Sequence, residues 1–420
     1  MKALEFGRKP ARYAAAMAAG RLTPGGGAKV RPLRLADLDV PALPGPGWHH
    51  IKPRLSGICG SDLSTIDGTS SRYFEPIVSF PFVPGHEVVA DRAGGPDDPT
   101  DGTDRVVVEP VLGCVTRGIS PVCAECAAGH LGNCTNITFG AIEPGLQSGF
   151  CHDTGGGWST MMVAHESQLH AVPAELSDEA AVLVEPTACA VHGALAAHAG
   201  AGDRVVVLGA GTLGLLTIAA LRRYAPDAAL LVVAKHPHQR ALAAELLGDA
   251  GRAAGGTIVE PGELKRAVRR TTGAMAVGDG AIVRLAGGAD IVVDCVGSAA
   301  SVTDSLAVVR PRGRIVVVGM PGVTTVDLTP LWHKEARLVG AYAYGTEVVP
   351  ETHDHGAGEH RRTFDLAFDL VASADLDRLV SATYPLARYG DAITHAATAG
   401  PRGAVKVAFD LRAEKERTRL

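Results

Sequence analysis

The chain has no long block of lysines or arginines, and its formal net charge is only -5 over 420 residues. That removes the electrostatic footprint of a nucleic-acid binder or of a protein held to an anionic membrane surface. No apolar run approaches the roughly 18 to 20 residues that a membrane-spanning helix needs. No signal peptide is expected, because the alanine-rich patch Ala14–Ala19 is short, weakly apolar and preceded by Arg8, Lys9 and Arg12. No internal repeat is visible. Expected partners are therefore small molecules, with no nucleic acid and no membrane, and the expected location is cytoplasmic.

What is present points to a well-buried α/β protein. Apolar residues make up 46%, charged residues 20%, and there are 51 glycines. The length exceeds what one ordinary hydrophobic core supports, so two domains are expected. Up to about residue 180 short apolar runs such as Val106–Val108 are broken by Gly, Pro and Asp, a β-rich texture. Beyond it, continuous apolar strands at 205–208, 229–233, 291–293 and 314–318 alternate with helix-like segments, the pattern of a parallel sheet covered on both faces. The expected division is 1–183, 184–337 and a return to the first domain over 338–420. A surface insertion is expected near 273–280, and a charged, frayed end over 413–420. Eight cysteines in a long intracellular chain read as free, metal-bound or catalytic.

Gly209-Ala-Gly211-Thr212-Leu213-Gly214 follows the first of those strands and opens a helix. Glycines at this spacing permit a tight turn, approach of backbone N–H groups to a pyrophosphate, and close helix–strand packing. An NAD site commonly places a carboxylate at the end of the next strand to accept from the ribose hydroxyls. Here that end is Ala234, followed by the cations Lys235 and Arg240. A missing carboxylate and a nearby cation suit a 2′-phosphate, so NADP is favoured over NAD.

In the first domain Gly57-Ile-Cys59-Gly-Ser61-Asp62 and Pro84-Gly85-His86-Glu87 bring together a thiol, an imidazole and a carboxylate, the ligand types of zinc. Each has a plain structural reading, Cys59 as a small buried side chain and His86 as a satisfied core histidine. Their joint occurrence beside a dinucleotide turn makes those readings poor. Cys114, Cys123, Cys126 and Cys134 form a second set whose four thiols suit a closed structural zinc.

These motifs resemble the zinc-dependent medium-chain alcohol and polyol dehydrogenases. The resemblance is carried by Gly57 to Asp62, Gly85 to Glu87, the cluster ending in Cys134, Val184-Glu185-Pro186, Gly209 to Gly214 and Asp294-Cys-Val296-Gly297, all in family order. It implies a GroES-like β-rich catalytic domain with a Rossmann doubly wound parallel-sheet domain, a homodimer or homotetramer, and two zinc ions, one catalytic and one structural. It implies Cys59 and His86 as permanent zinc ligands, with Glu87 and Glu185 sharing the remaining protein position. Asp62 is then the acceptor for the His86 ring N–H, and Ser61 resembles the hydroxyl that takes the substrate proton. Val296 and Gly297 join the cofactor site. Ethanol-type relatives carry a cysteine where this chain has Glu185, so a polyol or secondary alcohol, or the matching ketone, is the implied substrate.

Three departures stand out. Ser64 occupies the place of the relaying histidine. Eight residues separate Cys114 from Cys123 where the family usually has two, so residues 115–122 form an extra loop, and Cys114 as a non-ligand or a metal-free lobe stay open as alternatives. Residues 13–28 are inserted near the start. Trp158 reads equally as a pocket wall or a core residue. A zinc-free enone or quinone reductase is a rival on the same scaffold, and a non-catalytic redox sensor or binding protein is a rival of another class.

Overall fold

The computed structural model describes residues 1–412 apart from 8, 31, 94–103, 279–282 and 351–357. The frayed end expected over 413–420 and part of the 273–280 insertion lie outside the described residues. The chain divides into two compact units, Met1–Glu185 together with the segment from Val371, and Pro186–Leu370.

The first unit is built on a seven-stranded sheet. Its path runs Val380–Tyr384, Lys406–Asp410, Trp48–Gly57, Val88–Arg92, Arg105–Val108 and Leu169–Ala171, with Met162–His165 also paired to Trp48–Gly57. Val88, Val106, Val108, Met162 and Ala164 pack as one apolar cluster on it, because inward positions alternate with outward ones along each strand. The inserted segment leaves a two-stranded ladder at Phe6 and rejoins it at Leu33, so the ladder stays intact. Between them runs the helix Pro10–Leu22, with proline in its first turn where a missing N–H costs nothing.

The second unit carries six parallel strands in the order Thr257–Val259, Ala229–Val233, Arg204–Leu208, Ala289–Asp294, Val309–Val317 and Arg337–Gly340. Numbered along the chain this is 3-2-1-4-5-6, the doubly wound dinucleotide-binding arrangement. Val206, Leu208, Val292, Leu306 and Ile315 belong to its core cluster. The expected return at 338 comes later, since Arg337–Gly340 is the sixth strand of this sheet and its unit continues to Leu370. The expected insertion is a short hairpin of Met275–Val277 and Arg284–Ala286. Among the described residues no helix is long and apolar enough to cross a membrane.

Candidate active site and metal centres

The strand Trp48–Gly57 delivers the chain to Cys59, which caps the short helix Gly60–Ile66 with extended backbone. The Cys59 N–H donates to Asp62 Oδ2 at 3.0 Å, which fixes the turn. The neighbouring strand Val88–Arg92 is entered through Gly85-His86-Glu87. Gly85 has φ +98°, and a Cβ there would sit 2.4 Å from Trp158 Cδ1, so only glycine fits this turn. One ligand atom each of Cys59, His86 and Glu87 lies within 4.8 Å of the others. His86, Glu87 and Asp62 are buried.

His86 Nδ1 faces Asp62 Oδ1 at 3.5 Å. Neither buried atom has a hydrogen-bond partner in this geometry, and the approach is the one expected for Asp62 orienting the ring. Burial opposes protonation of His86, but Asp62 and Cys59 outweigh it and raise its pKa well above the ordinary value. The pocket therefore attracts positive charge, and its sulfur, nitrogen and oxygen donors fit zinc.

Sequence reasoning missed Lys406. Its ammonium donates to both carboxylate oxygens of Glu87 at 2.6 Å and to the Ile58 carbonyl at 3.4 Å. Both side chains are almost completely buried, 3% and 1% exposed, which makes this an ion pair inside the protein and not a surface contact. Burial lowers the Lys406 pKa, and Glu87, then Cys59 and Glu185, more than reverse that, so the net direction is upward. Glu185 is buried at the start of the helix Val184–Ala196. It stands outside the three-residue ligand group, and its charge acts on Lys406. Two carboxylates thus act on one buried cation.

Ser61 is half-buried on the helix that Cys59 caps. Trp158 is fully buried, donates to the Gly57 carbonyl at 3.3 Å and packs edge-on against Phe409, so it is core and no pocket wall.

The four cysteines of the second set also converge. Sγ of Cys134 lies 3.6 Å from that of Cys114 and 4.0 Å from that of Cys123. A tetrahedral ion with bonds of about 2.3 Å holds its sulfurs about 3.8 Å apart, so the spacing suits zinc. Backbone N–H groups of Cys123, Cys126 and Asn136 are aimed at the sulfurs of Cys114, Cys123 and Cys134. Hydrogen bonds from the Cys126 and Thr135 backbones bring the Cys123 thiol down to about 5, whereas burial pushes that of Cys134 up to about 11 and raises that of Cys126 as well. Cys114 is the fourth thiol despite its spacing, because the extra loop folds over a buried arginine. Arg117 is 0% exposed and donates to the carbonyls of Leu112, Phe139, Ile142, Glu143 and Gly145.

In the second unit Gly209 has φ +89°, and a Cβ on Gly214 would lie 1.9 Å from the Gly209 carbonyl. Gly211 faces open space at the head of the helix Thr212–Tyr224, and Leu213 and Thr212 are half-buried in its first turn. Asp294 Oδ1 accepts from the N–H groups of Val296 and Gly297 at 2.9 and 3.0 Å, and Val296 is half exposed beside the turn. Lys235 is exposed. Arg240 is engaged, donating to the Lys235 carbonyl at 3.0 Å and pairing with Glu260 at 3.1 Å.

Two family models match the chain, "Alcohol dehydrogenase GroES-like domain" over residues 45–174 and "Zinc-binding dehydrogenase" over residues 212–357. Sorbitol dehydrogenase of Arabidopsis thaliana is 26% identical over 377 residues, 88% of this chain and 90% of the relative. The 2-dehydro-3-deoxy-L-galactonate 5-dehydrogenase of Pseudoalteromonas atlantica is 29% identical over 347 residues, 81% and 85% of the two chains. The crystal structure of 2R,3R-butanediol dehydrogenase from Bacillus subtilis shares the fold with a TM-score of 0.65 at 21% identity, covering 98% of this chain and 99% of that one.

Proposed function

The chain belongs to the zinc-binding medium-chain alcohol dehydrogenase family, and from that premise we propose that it interconverts a polyol or other secondary alcohol and its ketone, with NADP preferred. The buried group of Cys59, His86 and Glu87 carries this reading. Glu185 in place of a cysteine supports the polyol class, as do relatives named for sorbitol and a sugar acid.

Cys59, His86 and a carboxylate from Glu87 or Glu185 would hold the catalytic zinc, which when bound supplies Lewis acidity toward the substrate oxygen. Asp62 keeps the His86 ring in one orientation. Ser61 relays the hydroxyl proton, accepting it from the alcohol during oxidation as it hands its own on toward water, and running the same exchange in reverse during reduction. Lys406 offsets the charge of the two glutamates in their buried setting. Gly209, Gly211 and Gly214 would open the helix terminus to the pyrophosphate of a nicotinamide dinucleotide, which when bound supplies the hydride acceptor or donor.

Hydride exchange tests the reading: polyols, secondary alcohols, sugars and amino alcohols are offered with each cofactor. Turnover of none of them overturns it in favour of a sensor or binding protein, whereas reduction of enones by zinc-free protein favours the rival reductase. Elemental analysis should find two zinc ions per chain, with Cys59→Ala and Cys123→Ala each lacking one. A zinc-free unmodified protein would contradict both sites.

The NADP preference rests on Ala234 and Lys235, because Arg240 is already committed to Glu260. A charge-assisted contact to phosphate contributes about 1.5 to 3 kcal/mol, or roughly ten- to a hundredfold in affinity. Ala234→Asp with Lys235→Ser should reverse the preference. A higher kcat/KM with NAD in the unmodified enzyme would show that other groups hold the ribose.

We place the enzyme in the cytosol, in line with its eight free cysteines, and as a homodimer or homotetramer. Arg337–Gly340 ends the parallel sheet, with Leu338 and Val339 exposed at 42% and 38%, an edge suited to pairing with a second copy.

A further inference from the structure

The inserted segment grips the far end of the helix that carries Ser61. That helix ends at Asp67, whose two carboxylate oxygens accept from the N–H groups of Gly25 and Gly27, each at 2.9 Å. Contact is close enough to require glycine. A Cβ on Gly27 would lie 2.2 Å from the Ile66 carbonyl, and one on Gly20 would lie 2.8 Å from Asp67 Cβ. Gly68, at φ +65°, leaves room for Met17 from the inserted helix. On the other side Gly25 abuts Ile393 and Ala397 of the helix Tyr389–Ala397, so the grip is anchored in the body of the unit.

From Asp67 the chain folds back on the proton-handling residues. The N–H groups of Thr69 and Ser70 donate to the Ser64 carbonyl at 2.8 and 3.1 Å. The Thr65 hydroxyl donates to the Ser61 carbonyl at 2.9 Å and shares a hydrogen bond with the Ser70 hydroxyl at 3.1 Å. Two sets of hydrogen bonds, linked by the short stretch of chain from Asp67 to Ser70, therefore join the inserted glycines to the backbone of Ser61. A helix of only seven residues has no length to hold its own register, so an external anchor at its end decides where Ser61 sits.

We infer that Asp67 is a positioning residue for Ser61, and that residues 10–30 are a brace which fixes the short helix of the catalytic site. This rests on the role proposed above for Ser61. Among the described residues the Asp67 carboxylate bonds only backbone groups of the insertion, so it acts through geometry.

The test uses full-length, zinc-loaded enzyme with Asp67→Ala, Asp67→Asn, Ser61→Ala and the Ser61→Ala/Asp67→Ala pair. Asp67→Ala should lower kcat by about ten- to a hundredfold, the scale on which small misplacements act, with substrate KM within a few-fold and zinc content unchanged. Asn keeps one acceptor and should lose less; it carries the test if the alanine variant does not fold. Amide exchange at residues 69 and 70 should quicken in both variants, a readout independent of turnover. In the Ser61→Ala background the Asp67→Ala loss should vanish. Losses that multiply in the double variant, or an unchanged kcat for Asp67→Ala, overturn the inference alone. An unchanged kcat for Ser61→Ala instead overturns the role of Ser61, and this route with it.

Discussion

Lys406→Met is expected to cost the enzyme about a hundredfold in kcat and about 3–5 kcal/mol in stability. Removing one partner of a buried ion pair leaves the other charge uncompensated. Glu87 would lose its buried counter-charge, and loss of one preorganised charge at a reacting centre commonly costs this much in rate. At about 2–4 °C per kcal/mol for a unit of this size, the melting temperature should fall by roughly 6–20 °C. The pH dependence has a defined sign. The Lys406 pKa is raised above the ordinary 10.5 in the folded protein. Its stabilisation is therefore complete below that ordinary value and is lost only as pH climbs through the higher folded one. The gap between wild type and variant should stay flat from about pH 6 to 9. Adding Glu87→Gln to Lys406→Met should recover stability without activity. A Lys406→Met enzyme with wild-type melting and kcat would remove the lysine from the site.

Arg117→Met should unfold the cysteine lobe. The substitution keeps most of the side-chain volume but removes the guanidinium donor from five carbonyl oxygens, of which that of Glu143 keeps the Cys151 thiol. An unsatisfied buried acceptor costs about 1–3 kcal/mol, so the total loss should exceed about 4 kcal/mol even with partial rescue by water. The guanidinium also places a positive charge near Cys151, Cys134 and Cys114, with burial pulling its own pKa below the usual guanidinium value. The variant should release one zinc ion to a mild chelator and keep the other, and its denaturant midpoint should drop. Retention of both ions with an unchanged midpoint would show that the loop holds itself without this residue.

These two residues show where the sequence was legible and where it was not. Four of the six parallel strands could be read from continuous apolar runs, and the turn after the first from glycines whose spacing serves a backbone function. Cys59, His86 and the four cysteines were legible because few structural reasons place thiols and imidazoles at such intervals. Lys406 left a signal that went unused: it interrupts the otherwise apolar run Val405–Phe409, and lysine is almost never buried without a partner. That partner lies 319 residues away and no local pattern names it. Arg117 left no signal, since an arginine in a short loop normally faces water. The boundary at 338 failed for a related reason: a sixth parallel strand and the first strand of a returning segment have the same local pattern.

The first unit's sheet is assembled from both ends of the chain, with Lys406–Asp410 seated between Val380–Tyr384 and Trp48–Gly57. Synthesis on the ribosome proceeds from one end only. Residues 186–370 emerge as one uninterrupted stretch and can close their sheet at once, while the strand Trp48–Gly57 waits with an open edge and Glu87 waits without its counter-charge. Open edges and unpaired buried charges are what draw nascent chains into wrong partnerships. The dinucleotide-binding unit should therefore mature first, and the period of greatest aggregation hazard for this protein is the interval between its release and the arrival of residue 406.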